Sequence, residues 1–206
     1  MTDLHVKVWD PFVRLFHWTL VVGFTIAYLS GDDAGTIHEW SGYAVLGLVS
    51  ARTVWGFIGT RYARFADFVC RPSTVRRYVI SLLTGHPQRY LGHNPLGGMM
   101  VVALLVMLAL VSVTGILALE PSPVSAVAVV ATAQANGEDE RDDGYGWISE
   151  VHEALAEFTL VLVMIHIAGV LIGSLLEREN LVAAMITGRK RRDRSVNGAR
   201  NELAPR

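Results

Sequence analysis

The chain has 206 residues, 51% of them hydrophobic and 18% charged, with a mean hydropathy of +0.37. An average soluble domain is about 25% charged, so this composition points to a membrane protein; the net charge of -1 says little. The one cysteine, Cys70, excludes an internal disulfide, a Cys-x-x-Cys-His haem attachment and a thiolate-held iron–sulfur cluster within this chain.

Residues 1–10 are polar and no small-residue cleavage site follows the first apolar stretch, so no cleaved signal peptide is expected. About 20 mostly apolar residues are needed to cross a bilayer as a helix. The first such stretch is 12–30, with His17 near its start and Arg14 one turn earlier. Asp32 and Asp33 follow in a short loop. The second span, 38–58, opens at His38 and is interrupted by Glu39 and Arg52. A loop with Arg61, Arg64, Arg71, Arg76, Arg77 and Arg89 against one acid, Asp67, leads to "GHNPLGG". Its His93 either lines a quinone pocket, relays a proton, or serves the turn and cap. Pro95 is placed to start the third span, 96–119, and Pro121 to end it. The next loop contains "SAVAVVATAQA", too short to span and read as a surface helix or a lid, and then "NGEDERDDG". The fourth span, 148–176, is longer than a crossing requires, so it tilts or protrudes. It carries His152 and His166. Residues 189–206 are basic and polar, with little to pack, and are read as a disordered tail behind a membrane domain of residues 1–188.

The loops set a handedness. Arginine crowds the segment between spans two and three and the segment after span four, whereas the other two loops are acidic. The positive-inside rule then places both termini in the cytoplasm. The expected fold is an all-α integral membrane protein, a four-transmembrane-helix bundle in a prokaryotic inner membrane.

Histidines in such spans call for a reason, because burying an unpaired polar group costs a few kcal/mol. His152 and His166 are fourteen residues apart, which is about 21 Å of rise and about 40° of rotation on one helix. They therefore share a face at two depths. By the same ruler His17 lies at the inner level and His38 at the outer. Pairing by depth joins His17 with His166 and His38 with His152. Two imidazoles per level are too few for a zinc site, which takes three or four ligands. They suffice for haem, whose iron needs only axial ligands. With both axial positions filled, electron transfer is favoured over oxygen chemistry at iron. Gly23, Gly42, Gly169 and Gly173 either make room for porphyrin or serve ordinary close packing of membrane helices. Arg52, fourteen residues after His38, reaches the inner level. It and Arg14 either hold a haem propionate or quinone head or snorkel to lipid headgroups. Glu153 and Glu157 are either a solvated collar or a proton path.

The stretches "VKVWDPFVRLFHW", "RTVWGFIGTRYARFADF", "YLGHNPLGGMM", "HEALAEF", "HIAGV" and "NLVAAMITGRK" occur in an order that resembles the prokaryotic cytochrome b561 family. The likeness covers roughly residues 4 to 190. It is narrowest to the branch with the cytochrome b subunit of nickel–iron hydrogenases and the b-type partners of dihaem cytochrome c. The resemblance implies four helices and two haems b, with histidine ligands on helices one, two and four. At matching positions these are His17, His38, His152 and His166. It also implies electron exchange between a periplasmic c-type cytochrome or hydrogenase and the quinone pool, with a bound quinone as a further cofactor. The extended acidic third loop and long basic tail depart from shorter members and leave the partner open.

An electron-transfer subunit therefore ranks first, ahead of a stand-alone superoxide:quinone oxidoreductase, for which an acidic outer surface is unsuited. A haem-free transporter or structural protein is the third reading. No nucleic-acid partner is expected, and a homo-oligomer is left open.

Overall fold

The computed structural model describes residues 5–31, 35–85, 90–119 and 146–191. The surface helix or lid expected around 124–134, the acidic loop, and the tail beyond 191 lie outside the described residues. Four long helices run over the apolar stretches: α1 Pro11–Leu29, α2 Thr36–Ile58, α5 Pro95–Ala118 and α6 Gly146–Glu177. Between α2 and α5 come a 3-10 turn, Arg61–Ala63, and two shorter helices, α3 Phe65–Phe68 and α4 Pro72–Leu83. After α6 come α7 Leu181–Thr187 and strand β2 Arg189–Arg191, which pairs with the N-terminal strand β1 His5–Lys7.

Helices α1, α5 and α6 are long and apolar enough to cross a membrane. Helix α2 has the length, but Glu39, Arg52 and its polar aromatics dilute its hydropathy. Large apolar side chains stay exposed along these helices, among them Leu15, Val22, Ile165, Leu171 and Leu175. Continuous exposure of that kind is what lipid contact requires and water forbids.

Local chemistry sets the helix ends. Asp10 and Asn94 each precede a proline at the first helical position, where the missing N–H costs nothing. The Asp10 carboxylate accepts from Val13 N at 2.8 Å and the Asn94 side chain from Gly97 N at 2.7 Å, capping α1 and α5. Asn180 does the same for α7 at Ala183 N, 2.8 Å, and Gly188 ends that helix in the left-handed region at φ 79°.

The chain divides into two compact units. The first comprises Met1–Leu15, Trp55–Met99 and Ile167–Arg206. Its sheet pairs His5 with Arg191, Val6 with Lys190 and Lys7 with Arg189, and Gly188 O accepts from Val8 N and Trp9 N. The expectation of a disordered tail from residue 189 is thus corrected for 189–191. Their partners come from the far end of the chain, and Lys190 is only 4% exposed. The arginine-rich segment read as a loop is also corrected. Helix α4 begins at Pro72, buries Tyr78, and leaves Arg76, Arg77, Ile80 and Leu83 exposed.

Asp10 ties this unit together. Besides capping α1, its carboxylate accepts from Trp55 Nε1 at 3.1 Å and from the Thr60 hydroxyl. Burial pushes its carboxyl up, but the hydrogen bonds from Thr60, Val13, Trp55 and Phe12 outweigh that and hold it below its ordinary 3.8. A lowered folded pKa adds stability that is present above the unfolded value and lost as pH falls through the folded one. The Asp10 contribution should therefore be whole above about pH 4 and vanish below its depressed pKa. Asp10→Ala should cost about 2–4 kcal/mol, the cap plus hydrogen bonds to a charged acceptor, and flatten that acid limb. Unfolding in detergent across pH 2–6 is the measurement. An unchanged acid limb would mean that Asp10 is not the stabilising carboxylate.

The second unit comprises Phe16–Val54 and Met100–His166. Val45 and Val49 of α2 and Leu108 of α5 form its core, with Leu20 and Phe24 of α1 and Leu105 and Ala109 of α5 against them. Gly23 faces Val45, where a Cβ would lie 3.4 Å from Cγ2. Thr159, seven residues from both His152 and His166, is fully buried and donates to Leu155 O at 2.7 Å. All four membrane histidines belong to this unit.

Candidate cofactor site

Helix α6 carries two histidines on one face, and each meets a histidine from another helix. The ring centroids of His17 on α1 and His166 on α6 are 6.5 Å apart with planes at 56°. Those of His38 on α2 and His152 on α6 are 6.0 Å apart with planes at 89°. A metal–imidazole bond is about 2 Å, and a ring centroid sits roughly 1.1 Å behind its nitrogen. Two imidazoles on opposite sides of one metal should therefore be about 6.3 Å apart, centre to centre. Both separations fit one iron held axially. Two rings in edge-to-face contact span the same range, about 4.5–7 Å, whereas a hydrogen bond shared between the rings would draw them closer and leave no room for a metal.

The protons are arranged to suit. His38 Nδ1 lies 2.9 Å from Ala27 O, and His152 Nδ1 lies 3.0 Å from Val111 O. A carbonyl only accepts, so in each ring Nδ1 carries the proton and Nε2 keeps its lone pair for a metal. The Thr114 hydroxyl is 3.2 Å from the same His152 nitrogen. His17 Nδ1 is buried and has no hydrogen-bond partner among the described residues.

Space is uneven around the four rings. A Cβ at Gly42, four residues after His38, or at Gly169, three after His166, would meet nothing within 4 Å. Neither glycine is packed against a neighbouring side chain. Gly23 and Gly173 instead face neighbouring side chains, Val45 and Leu181, as ordinary helix packing requires. Gly115, which sequence reasoning passed over as a site residue, is the tightest: a Cβ there would lie 2.9 Å from His152 Cε1. Its only sequence signal is the "TG" pair in the third apolar stretch. Among the described residues no group of three or more His, Cys, Asp or Glu could hold a metal ion. The histidines among them come together only as pairs.

Arg52, 3% exposed, is a buried cation on α2. Arg14 belongs to the first unit, where it lies against Gly188, and its Nε is buried with no hydrogen-bond partner among the described residues. His93, also in the first unit, sits between Trp9 and Phe68, each ring 4.6 Å away. Glu153 and Glu157 are exposed.

Residues 8–188 match the family model described as prokaryotic cytochrome b561. Two similar proteins are described as probable Ni/Fe-hydrogenase B-type cytochrome subunits, one from Azotobacter vinelandii and one from Azotobacter chroococcum mcd 1. Each is 24% identical, over 89% of this chain and 87% of the relative. No solved structure matches.

Proposed function

The chain belongs to the prokaryotic cytochrome b561 family, a family of membrane-embedded, haem-b electron carriers, and from that premise we propose that it is a four-span dihaem cytochrome. The observation that carries this reading is the facing of histidine pairs at 6.5 and 6.0 Å. His17 and His166 hold one haem; His38 and His152 hold the other. When bound, each haem supplies an iron that takes up and releases one electron.

The protein's own groups do the rest. With an imidazole from each of two helices, His17 with His166 and His38 with His152 would hold the haems, and two such ligands per iron would favour electron transfer over oxygen chemistry. The fourteen residues between His152 and His166 set the two sites about 21 Å apart along α6, a relay across most of a bilayer. Arg52, buried at the level of His166, suits a propionate or a quinone head, and Arg14 is the second candidate for that contact. The arginine-rich segments set the termini and the α2–α5 connection in the cytoplasm of a prokaryotic inner membrane, with α2 as the fourth span. Electrons then pass between a periplasmic partner and quinone. A hydrogenase is favoured by the descriptions of the two relatives, while the acidic outer loops suit a basic c-type cytochrome, whose approach they would steer.

The test is a dithionite-reduced optical spectrum of the purified protein, with haem extraction against protein concentration. Two haems b per chain are expected. Zero or one per chain would overturn the dihaem assignment.

A further inference from the structure

The two histidine pairs differ in what stands behind the rings. In the His38–His152 pair both imidazoles donate from Nδ1 to backbone carbonyls, Ala27 O at 2.9 Å and Val111 O at 3.0 Å, and Thr114 Oγ1 lies 3.2 Å from the second. In the His17–His166 pair, His17 Nδ1 is buried without a hydrogen-bond partner among the described residues. The ring planes differ too, at 89° and 56°. Helix α5 supplies no ligand candidate, yet it fixes one: Val111 and Thr114 hold His152 Nδ1, and Gly115 admits the ring where a Cβ would collide.

Resting on the dihaem reading, we infer that Thr114 and the carbonyls of Val111 and Ala27 are positioning groups that make the His38–His152 site the lower-potential of two unequal iron sites. An imidazole donating through Nδ1 gains imidazolate character and becomes a stronger donor to the metal. That favours ferric over ferrous iron and lowers the potential. The fixed charges act in the same direction. Glu39 and Glu153 adjoin His38 and His152 in sequence, and carboxylates favour the more positive, oxidised site. Arg52, 3% exposed and by helical rise about 21 Å along α2 from His38, is a buried cation that favours the reduced one. One electron leaving ferrous iron at the His38–His152 site would reduce ferric iron at the His17–His166 site, and the downhill direction is toward Arg52.

The experiment is a potentiometric titration of the purified holoprotein, followed by haem absorbance and by EPR of frozen samples. Two one-electron waves should appear, separated by at least tenfold in equilibrium constant, about 59 mV. The lower wave should carry the highly anisotropic low-spin signal that perpendicular imidazole planes produce. Thr114→Val, which keeps the side chain's shape, should move the lower wave upward two- to tenfold and leave the upper wave in place. Thr114→Ser, which restores a hydroxyl, should return it. A single wave, the perpendicular signal on the upper wave, or a Thr114→Val shift confined to the upper wave would each overturn the inference. So would an unmoved lower wave. A preparation without haem bands would overturn the dihaem reading itself, a separate outcome visible before any titration.

Discussion

Alanine at His166 should halve the haem content, from two haems per chain to one, and leave the low-spin signal of perpendicular rings intact. The reasoning is geometric. His166 and His17 face each other at 6.5 Å, so on the dihaem reading removing either would take away half of what holds that haem, and the haem would be lost. His17→Ala should therefore produce the same spectrum as His166→Ala, and the double variant should add nothing. His38→Ala and His152→Ala should form the complementary set, losing the perpendicular signal and keeping the other. Combining one residue from each set should remove both haems. The substitution is mild for the helices, since alanine is the best helix former, so a missing haem would report coordination rather than a broken α1 or α6. The cross-pattern tests the pairing: if His17→Ala and His152→Ala shared a phenotype, the ligands would be partnered otherwise. Unchanged haem content and spectra in all four variants would sink the ligand set.

The histidine arrangement was legible because it depends on rise and rotation along one helix. Fourteen residues bring His166 back to the face of His152 whatever else the chain does. Helix ends were legible for a similar reason: proline and its capping neighbour act locally, as at Pro95. Three features were not legible, and each depends on contacts distant in sequence. The basic run at 189–191 reads as solvated until β1 is known to pair with it. Helix α4 sits in an arginine-rich segment that charge counting assigns to loop, although Pro72 marks its start. The seat of His152 joins residues 38 and 41 positions apart, and nothing in the local pattern of α5 distinguishes Gly115 from a packing glycine. The glycines show the same limit. Gly42 and Gly23 look alike in sequence, yet one faces open space and the other Val45.

Lys190→Met should cost about 3–5 kcal/mol, the scale for breaking a buried ion pair, while Lys190→Met combined with Glu177→Leu should recover most of the loss. Lys190 Nζ lies 3.4 Å from Glu177 Oε2, with the two side chains 5% and 13% exposed, and 3.5 Å from Tyr90 O. Removing the lysine alone strands a carboxylate that water barely reaches, and that desolvation is the main cost. Removing both charges leaves an apolar contact of similar volume, which buried pairs often tolerate. Denaturant unfolding in mild detergent should show the asymmetry. A neighbour offers a second readout. Burial, then the Glu177 carboxylate, then Tyr90 push the Tyr78 phenol above its ordinary 10.0. Glu177→Leu should bring that ionisation down, visible as phenolate absorbance at a lower pH. If the double variant proved as unstable as Lys190→Met, the cost would lie in packing beneath β2 rather than in the charge left behind. Lys190 would then act through its aliphatic stem, as a clamp on the β1–β2 pairing that joins the two ends of the chain.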